Sequence, residues 1–154
     1  MPKINLKDLE VTSGTGYPPP HDGPCLTRYK ISPGDFAGLT QFGAHIVSLP
    51  PGAWSSQRHW HSAEDEFVVI LKGHPTLVDN SGSQTLSPGD MTAHKAGDPN
   101  GHHMKNETDE VIEFLIVGGR SPEMDHVQYP DIDLELPANG TPNRHFRHKD
   151  GTVY

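Results

Sequence analysis

Fifteen prolines and sixteen glycines run through this chain, at roughly the 8–12-residue spacing of short strands joined by turns. Proline breaks a helix interior and glycine weakens one, so this punctuation disfavours long helices. No segment shows the i, i+3, i+4, i+7 apolar spacing of an amphipathic helix, and no solenoid-length repeat appears. The predicted class is all-β, a sandwich or barrel of many short antiparallel strands.

The strand candidates follow from runs of apolar and β-branched residues between turn signals. They are 41–49, 55–61, 66–71, 75–78, 84–86, 91–94, 102–105 and 111–117. Stops lie at Pro50-Pro51-Gly52, Lys72-Gly73, Asp79-Asn80-Ser81-Gly82 and Ser87-Pro88-Gly89-Asp90. The 154 residues suffice for one domain with its own core. We read 1–154 as a single domain, with a Gly/Pro-dense arm over 1–24, a barrel core over about 41–118 and a C-terminal extension over 119–154.

Charge and cysteine usage exclude several functions. Twelve basic against twenty acidic residues give a formal net charge of −8, so a wide basic surface for nucleic acid is not expected. The single cysteine, Cys25, allows neither an intrachain disulfide nor a four-cysteine zinc site. The longest apolar run, 67–71, is far too short for a bilayer, and no apolar run follows the N-terminus. The expected setting is cytoplasmic, with no membrane partner.

Eleven histidines are present, and spacing selects among them. In His59-Trp60-His61 the two imidazoles are two residues apart, so on a strand they share a face. Their backbone origins lie about 6.5 Å apart, close enough for both rings to reach one ion with bonds of about 2.0–2.1 Å. Glu66 follows the turn 62–65 and opens the strongest strand, so a hairpin folds it back beside both histidines as a carboxylate ligand. Glu64 and Asp65 are rival carboxylates, expected in the solvated turn. Further along, His102 or His103 starts another strand. Adjacent strand residues face opposite sides, so one of the two is expected to point inward. His102 is the ligand if Met104 and Asn106 continue the inward face, and His103 if the register slips by one. Gln57 shares the alternating face of His59 and His61, which makes it a cavity-lining candidate with Met104 and Asn106. His103 is otherwise expected at the surface or an interface, His45 and His94 as hydrogen-bonded packing histidines, and Cys25 as an inert, partly buried thiol.

These residues resemble the two motifs of the cupin superfamily. The first is matched by Gly52, His59, His61, Glu66 and Gly73, and the second by Gly89, Lys95-Ala96-Gly97, His102 and Asn106. Lys95 stands where a proline is usual, and the spacers after Gly52 and before His102 are longer than usual. The stretches 51–66 and 146–154 are also similar to small single-domain bacterial cupins. The resemblance implies a double-stranded β-helix (jelly-roll) barrel with extended N- and C-terminal arms. It also implies one divalent metal ion (Zn, Fe, Mn, Ni, Co or Cu) on His59, His61, Glu66 and His102, and often a homodimer. It implies no particular reaction. Two functions remain in view. One is a metal-dependent enzyme of isomerase, lyase or dioxygenase type on a small oxygenated metabolite, since four protein ligands on a six-coordinate ion leave two open positions. The other is a non-catalytic module that binds a small sugar or organic acid. A storage role, as in seed cupins, comes third, and a fused transcription factor is not expected without a helix-turn-helix segment.

Overall fold

The computed structural model describes residues 3–141 and 143–154. Its main element is a six-stranded sheet in the order β1-β2-β3-β10-β5-β8. These are β1 (Thr12–Ser13), β2 (Tyr29–Ile31), β3 (Phe42–Leu49), β5 (Glu66–Lys72), β8 (Met91–His94) and β10 (Ile112–Gly119). A second sheet runs β7 (Gly82–Thr85), β6 (Thr76–Asp79), β9 (His103–Lys105). A third runs β12 (Leu134–Leu136), β11 (Val127–Tyr129), β4 (Trp60–His61). Every pairing is antiparallel.

Alternation builds the core. Val47 and Leu49 of β3, Val68 and Ile70 of β5, and Ile112 and Phe114 of β10 are inward neighbours at period two. They meet Leu77 of β6, Met104 of β9 and Leu86, just after β7, from the opposite side. Leu49 and Ile112 are fully buried. A second apolar cluster, Val127, Tyr129 and Leu134, is packed by Tyr17 from the N-terminal arm and Phe146 from the tail.

The strand expectations fall within a residue or two over β3, β5, β6, β8, β9 and β10. Between 55 and 61 the chain bends, and regular pairing is confined to β4 and an isolated bridge from His59 to His102. One short helix, α1 (Pro33–Phe36), was not expected; a four-residue turn starting on proline leaves no amphipathic period to read. The N-terminal arm is fastened to the barrel: Trp54 N–H donates to the Pro24 carbonyl at 2.9 Å, and Gln57 Nε2 donates to the His21 carbonyl at 2.7 Å. Cys25 is completely buried there, where partial burial was expected. Among the described residues no helix is long and apolar enough to cross a membrane.

Candidate metal centre

Three short elements deliver the site. The His59–His102 bridge places the two imidazoles side by side, with ring centroids 5.1 Å apart. His61 follows two residues on, its centroid 5.0 Å from that of His59. Glu66 opens β5 and reaches the same space, accepting from His102 Nε2 at 2.8 Å. One donor atom each from His59, His61 and Glu66 lie within 4.8 Å of one another. Two ligands on one ion with bonds of about 2.1 Å are at most about 4.2 Å apart, so small side-chain shifts suffice to enclose an ion. His102 falls outside that group of three and touches it through Glu66.

The hydrogen bonds fix which ring nitrogens are free. His59 Nδ1 donates to the Gln57 carbonyl at 2.9 Å, and His61 Nδ1 donates to Asp125 Oδ2 at 2.8 Å. In the neutral form of each ring Nε2 is then the nitrogen without a proton, open to an ion. Burial pushes the His59 imidazole down to about 3 against the pull of Glu66, so it is neutral at ordinary pH. Burial pushes the Glu66 carboxyl up, but the His102 hydrogen bond and the nearby His59 and His61 hold it down, to about 2. Against burial, the Asp125 hydrogen bond and the nearby Glu66 raise the His61 imidazole above its ordinary value; a divalent ion binds the neutral imidazole and the ionised carboxylate. His102 Nδ1 is the one buried side-chain nitrogen or oxygen without a hydrogen-bond partner among the described residues.

Several residues sit where sequence reasoning did not place them. His103 is 5% exposed, not a surface residue. Its Nδ1 donates to the Ser56 carbonyl at 2.9 Å, and its ring meets Trp54 edge-on. The bend at 55–58 and the bulk of Trp54 cover its side of the strand. Glu64 is not in solvated turn space: its carboxylate accepts from Ser121 N–H, and with His61 and Asp125 it forms a second group of donors within 4.8 Å. That group is closed by its own hydrogen bonds, because Asp125 also accepts from Ala63 N–H at 3.0 Å and faces Arg144 at 3.5 Å. Asp65 is exposed in the turn, as expected, and accepts from Ala96 N–H at 2.8 Å. Gln57 meets the site through its backbone carbonyl, while its side chain holds the arm. Met104 lines the cavity, as expected, and packs in the core. Asn106 is buried in a turn, donating to the Leu49 and Glu110 carbonyls at 2.7 Å and accepting from Thr108. Asp125 was missed, as was the stacking of His94 on His102, with centroids 3.4 Å apart and planes 7° apart. The hydrogen bond from His94 to Thr92 Oγ1, at 3.1 Å, was expected in kind.

The group lies between two spaces. One is a recess of about 30 Å³, room for a single water, bordered by Trp60, His61, Glu64 and Asn100. The other is an interior cavity of about 250 Å³ that His59, Glu66 and His102 share with Arg28, Lys30 and His45.

Comparison with known proteins accounts for this arrangement. The family model described as "Cupin domain" matches residues 45–118. A crystal structure of a sugar phosphate isomerase of the cupin superfamily from Silicibacter pomeroyi DSS-3 is 40% identical, with a TM-score of 0.93 over 99% of this chain and 96% of that one. The chain belongs to the cupin superfamily. A provisionally named sugar phosphate isomerase from Acidithiobacillus ferrooxidans is 27% identical, with a TM-score of 0.74 over 83% of this cupin and 80% of that chain. The polyketide cyclase RemF from Streptomyces resistomycificus, 16% identical with a TM-score of 0.63 over 79% of this cupin and 80% of that chain, shares the fold alone. The search of curated proteins found no match. The three sheets are thus a jelly-roll barrel with arms at both ends.

Proposed function

We propose that this cupin is a metal-dependent isomerase of a small phosphorylated sugar. The observation that carries the reading is the His59–His61–Glu66 group, with His102 on Glu66, opening on an interior cavity. The Silicibacter protein, 40% identical over nearly the whole chain and described as a sugar phosphate isomerase, supports the reaction class. We assign His59, His61, Glu66 and His102 as the ligands of one divalent ion. When bound, that ion supplies Lewis-acid polarisation of a carbonyl and stabilisation of an enediolate. The protein's own residues orient the ligands and shape the cavity. Asp125 and the Gln57 carbonyl hold two imidazoles in the ligating tautomer, and Val47, Val68 and Phe114 supply an apolar part of the cavity wall. The metal is drawn from Zn, Fe, Mn, Ni, Co and Cu, since nitrogen and carboxylate donors suit all six.

The test is to strip the protein, reload it with each metal, and follow aldose and ketose phosphates by NMR. Interconversion by reloaded protein, and none by a His59→Ala variant, is the expected result. Oxygen uptake confined to the ferrous form points instead to a dioxygenase. Binding of several metabolites with no product from any of them favours the non-catalytic module.

We also propose a cytoplasmic homodimer. The outer face of the six-stranded sheet supports self-association. Cross-strand register lines up Ile31, Ile46, Leu115, Val69 and Met91 in one row and Ala44, Val117, Phe67 and Ala93 in the next. Phe67 is 42% and Met91 62% exposed. Contiguous apolar surface of this kind marks association sites. Light scattering on wild type and on a Phe67→Lys variant tests it, with a dimer and a monomer expected in turn.

A further inference from the structure

The chain is acidic, with a formal charge of −8, yet its interior cavity is not. Arg28 and Lys30 both line that cavity, and Glu66 is its one carboxylate among the described residues. Glu66 is engaged by His102 and by the metal-ligand assignment above. The two cations therefore face the cavity without a counter-ion of their own.

Their existing partners leave that charge in place. Arg28 Nε donates to the Gly14 carbonyl at 3.0 Å and Nη1 donates to the Ser55 carbonyl. Both acceptors are neutral, so they orient the guanidinium without balancing it. Lys30 forms no ion pair among the described residues. Asp35, whose carboxylate is close enough to feel both Lys30 and His45, is taken by Arg120 at 2.6 Å. Burial, and then the Lys30 charge, hold the His45 imidazole below its ordinary range, as expected where the ammonium faces it unneutralised. Two like charges at one partly dry cavity are costly unless a ligand of opposite charge joins them.

The backbone separates these cations from the metal ligands. Lys30 lies on β2, paired to Val47 of β3, and Arg28 immediately precedes that strand. His59, His61 and His102 come from the β4–β9 side. At about 250 Å³ the cavity is smaller than the ~300–1,000 Å³ typical of drug-sized ligands. It suits a short molecule that is anionic at one end. A guanidinium fork and an ammonium together match a phosphate oxygen set.

We propose that Arg28 and Lys30 form the seat for the substrate's phosphate, with the carbonyl end directed to the His59–His61–Glu66 group. The carbonyl end rests on the isomerase reading; the seat itself does not. The experiment is calorimetry of inorganic phosphate with metal-stripped, full-length protein in chelator. Wild type binds, Lys30→Gln binds at least about tenfold more weakly, and Lys30→Arg retains binding. Thermal melts confirm that each variant is folded. No phosphate binding by wild type, or equal binding by folded Lys30→Gln, overturns the seat. Phosphate held at Lys30 without turnover of any sugar phosphate upholds the seat and defeats the isomerase reading. Turnover of a sugar phosphate by protein that binds no inorganic phosphate does the reverse.

Discussion

His61 Nδ1 donates to Asp125 Oδ2 at 2.8 Å, across 64 residues of sequence. Asp125 is completely buried and spends its other oxygen on Ala63 N–H. Arg144, from the tail, donates to the Asp125 carbonyl at 2.6 Å and lies 3.5 Å from the carboxylate. The tail thus reaches the metal-ligand assignment through two links. Asparagine at 125 offers one acceptor oxygen where two donors wait, so His61 or Ala63 loses its partner. Outer partners of metal-bound histidines are typically worth about 10–100-fold in affinity. We expect Asp125→Asn to weaken metal binding by that factor in a chelator-competition titration, and Arg144→Met to weaken it less. Unchanged affinity in Asp125→Asn would show that His61 needs no orienting carboxylate.

His102 and His103 should separate cleanly. His102 Nε2 bonds to Glu66, whereas His103 is tied to Ser56 and Trp54. His102→Ala should lower metal affinity by at least the roughly 100-fold upper range for outer partners. His103→Ala should keep a full metal complement while losing about 1–2 kcal/mol of stability, as a buried hydrogen bond and an aromatic contact disappear. Metal analysis and denaturant melts of both variants decide it. Metal loss from His103→Ala with retention by His102→Ala would reverse the assignment.

Much of this was legible locally. The spacing of His59 and His61 was legible, but the hairpin expected to return Glu66 to them does not form: β4 pairs with β11 while β5 pairs with β10 and β8, so Glu66 reaches the histidines from a different sheet. The choice between His102 and His103 was not legible, because the loop before them has no fixed register until His59 bridges His102. His103, expected at the surface or an interface, is buried within this chain because Trp54 and the 55–58 bend cover the second face. Asp125 carried no local signal. It follows β10 in an irregular stretch, and only the fold brings it to His61. His94 reaches His102 because β8 pairs with β5, placing His94 opposite Glu66.

Alkaline pH should destabilise the junction of arm and barrel. Burial pushes the Cys25 thiol up from 9.0 to about 11, against Arg28, and the Tyr17 phenol up from 10.0 to about 12, against its hydrogen bond with Tyr129. Both raised groups keep their protons in the folded chain after the unfolded chain has released them. Their contribution is therefore complete below pH 9 and is lost as pH rises through 9–11 for Cys25 and 10–12 for Tyr17. Two units correspond to about 3 kcal/mol for the thiol. Between pH 8 and pH 11 wild type should lose about 2 kcal/mol more stability than Cys25→Ala, measured by urea denaturation. Parallel losses in the two proteins would remove the thiol from this account.

The two glycines of the first motif should respond differently to alanine. Both adopt positive φ, +80° at Gly52 and +73° at Gly73, where a Cβ costs about 1–2 kcal/mol. At Gly52 that is the whole cost, because a Cβ there meets nothing within 4 Å. At Gly73 a Cβ would stand 2.6 Å from Ile112 Cγ2 and 3.2 Å from Ile112 Cα. Ile112 is fully buried at the start of β10, so it has little room to yield. Overpacking adds about 1–3 kcal/mol, and Gly73→Ala should lose about 2–5 kcal/mol in all. The other end of β10 pairs Gly118 with Glu66, so the folded fraction of Gly73→Ala should still take up metal. Denaturant midpoints and metal analysis of both variants test this. Equal losses at 52 and 73 would mean that backbone conformation alone, and not contact with Ile112, requires glycine at the end of β5.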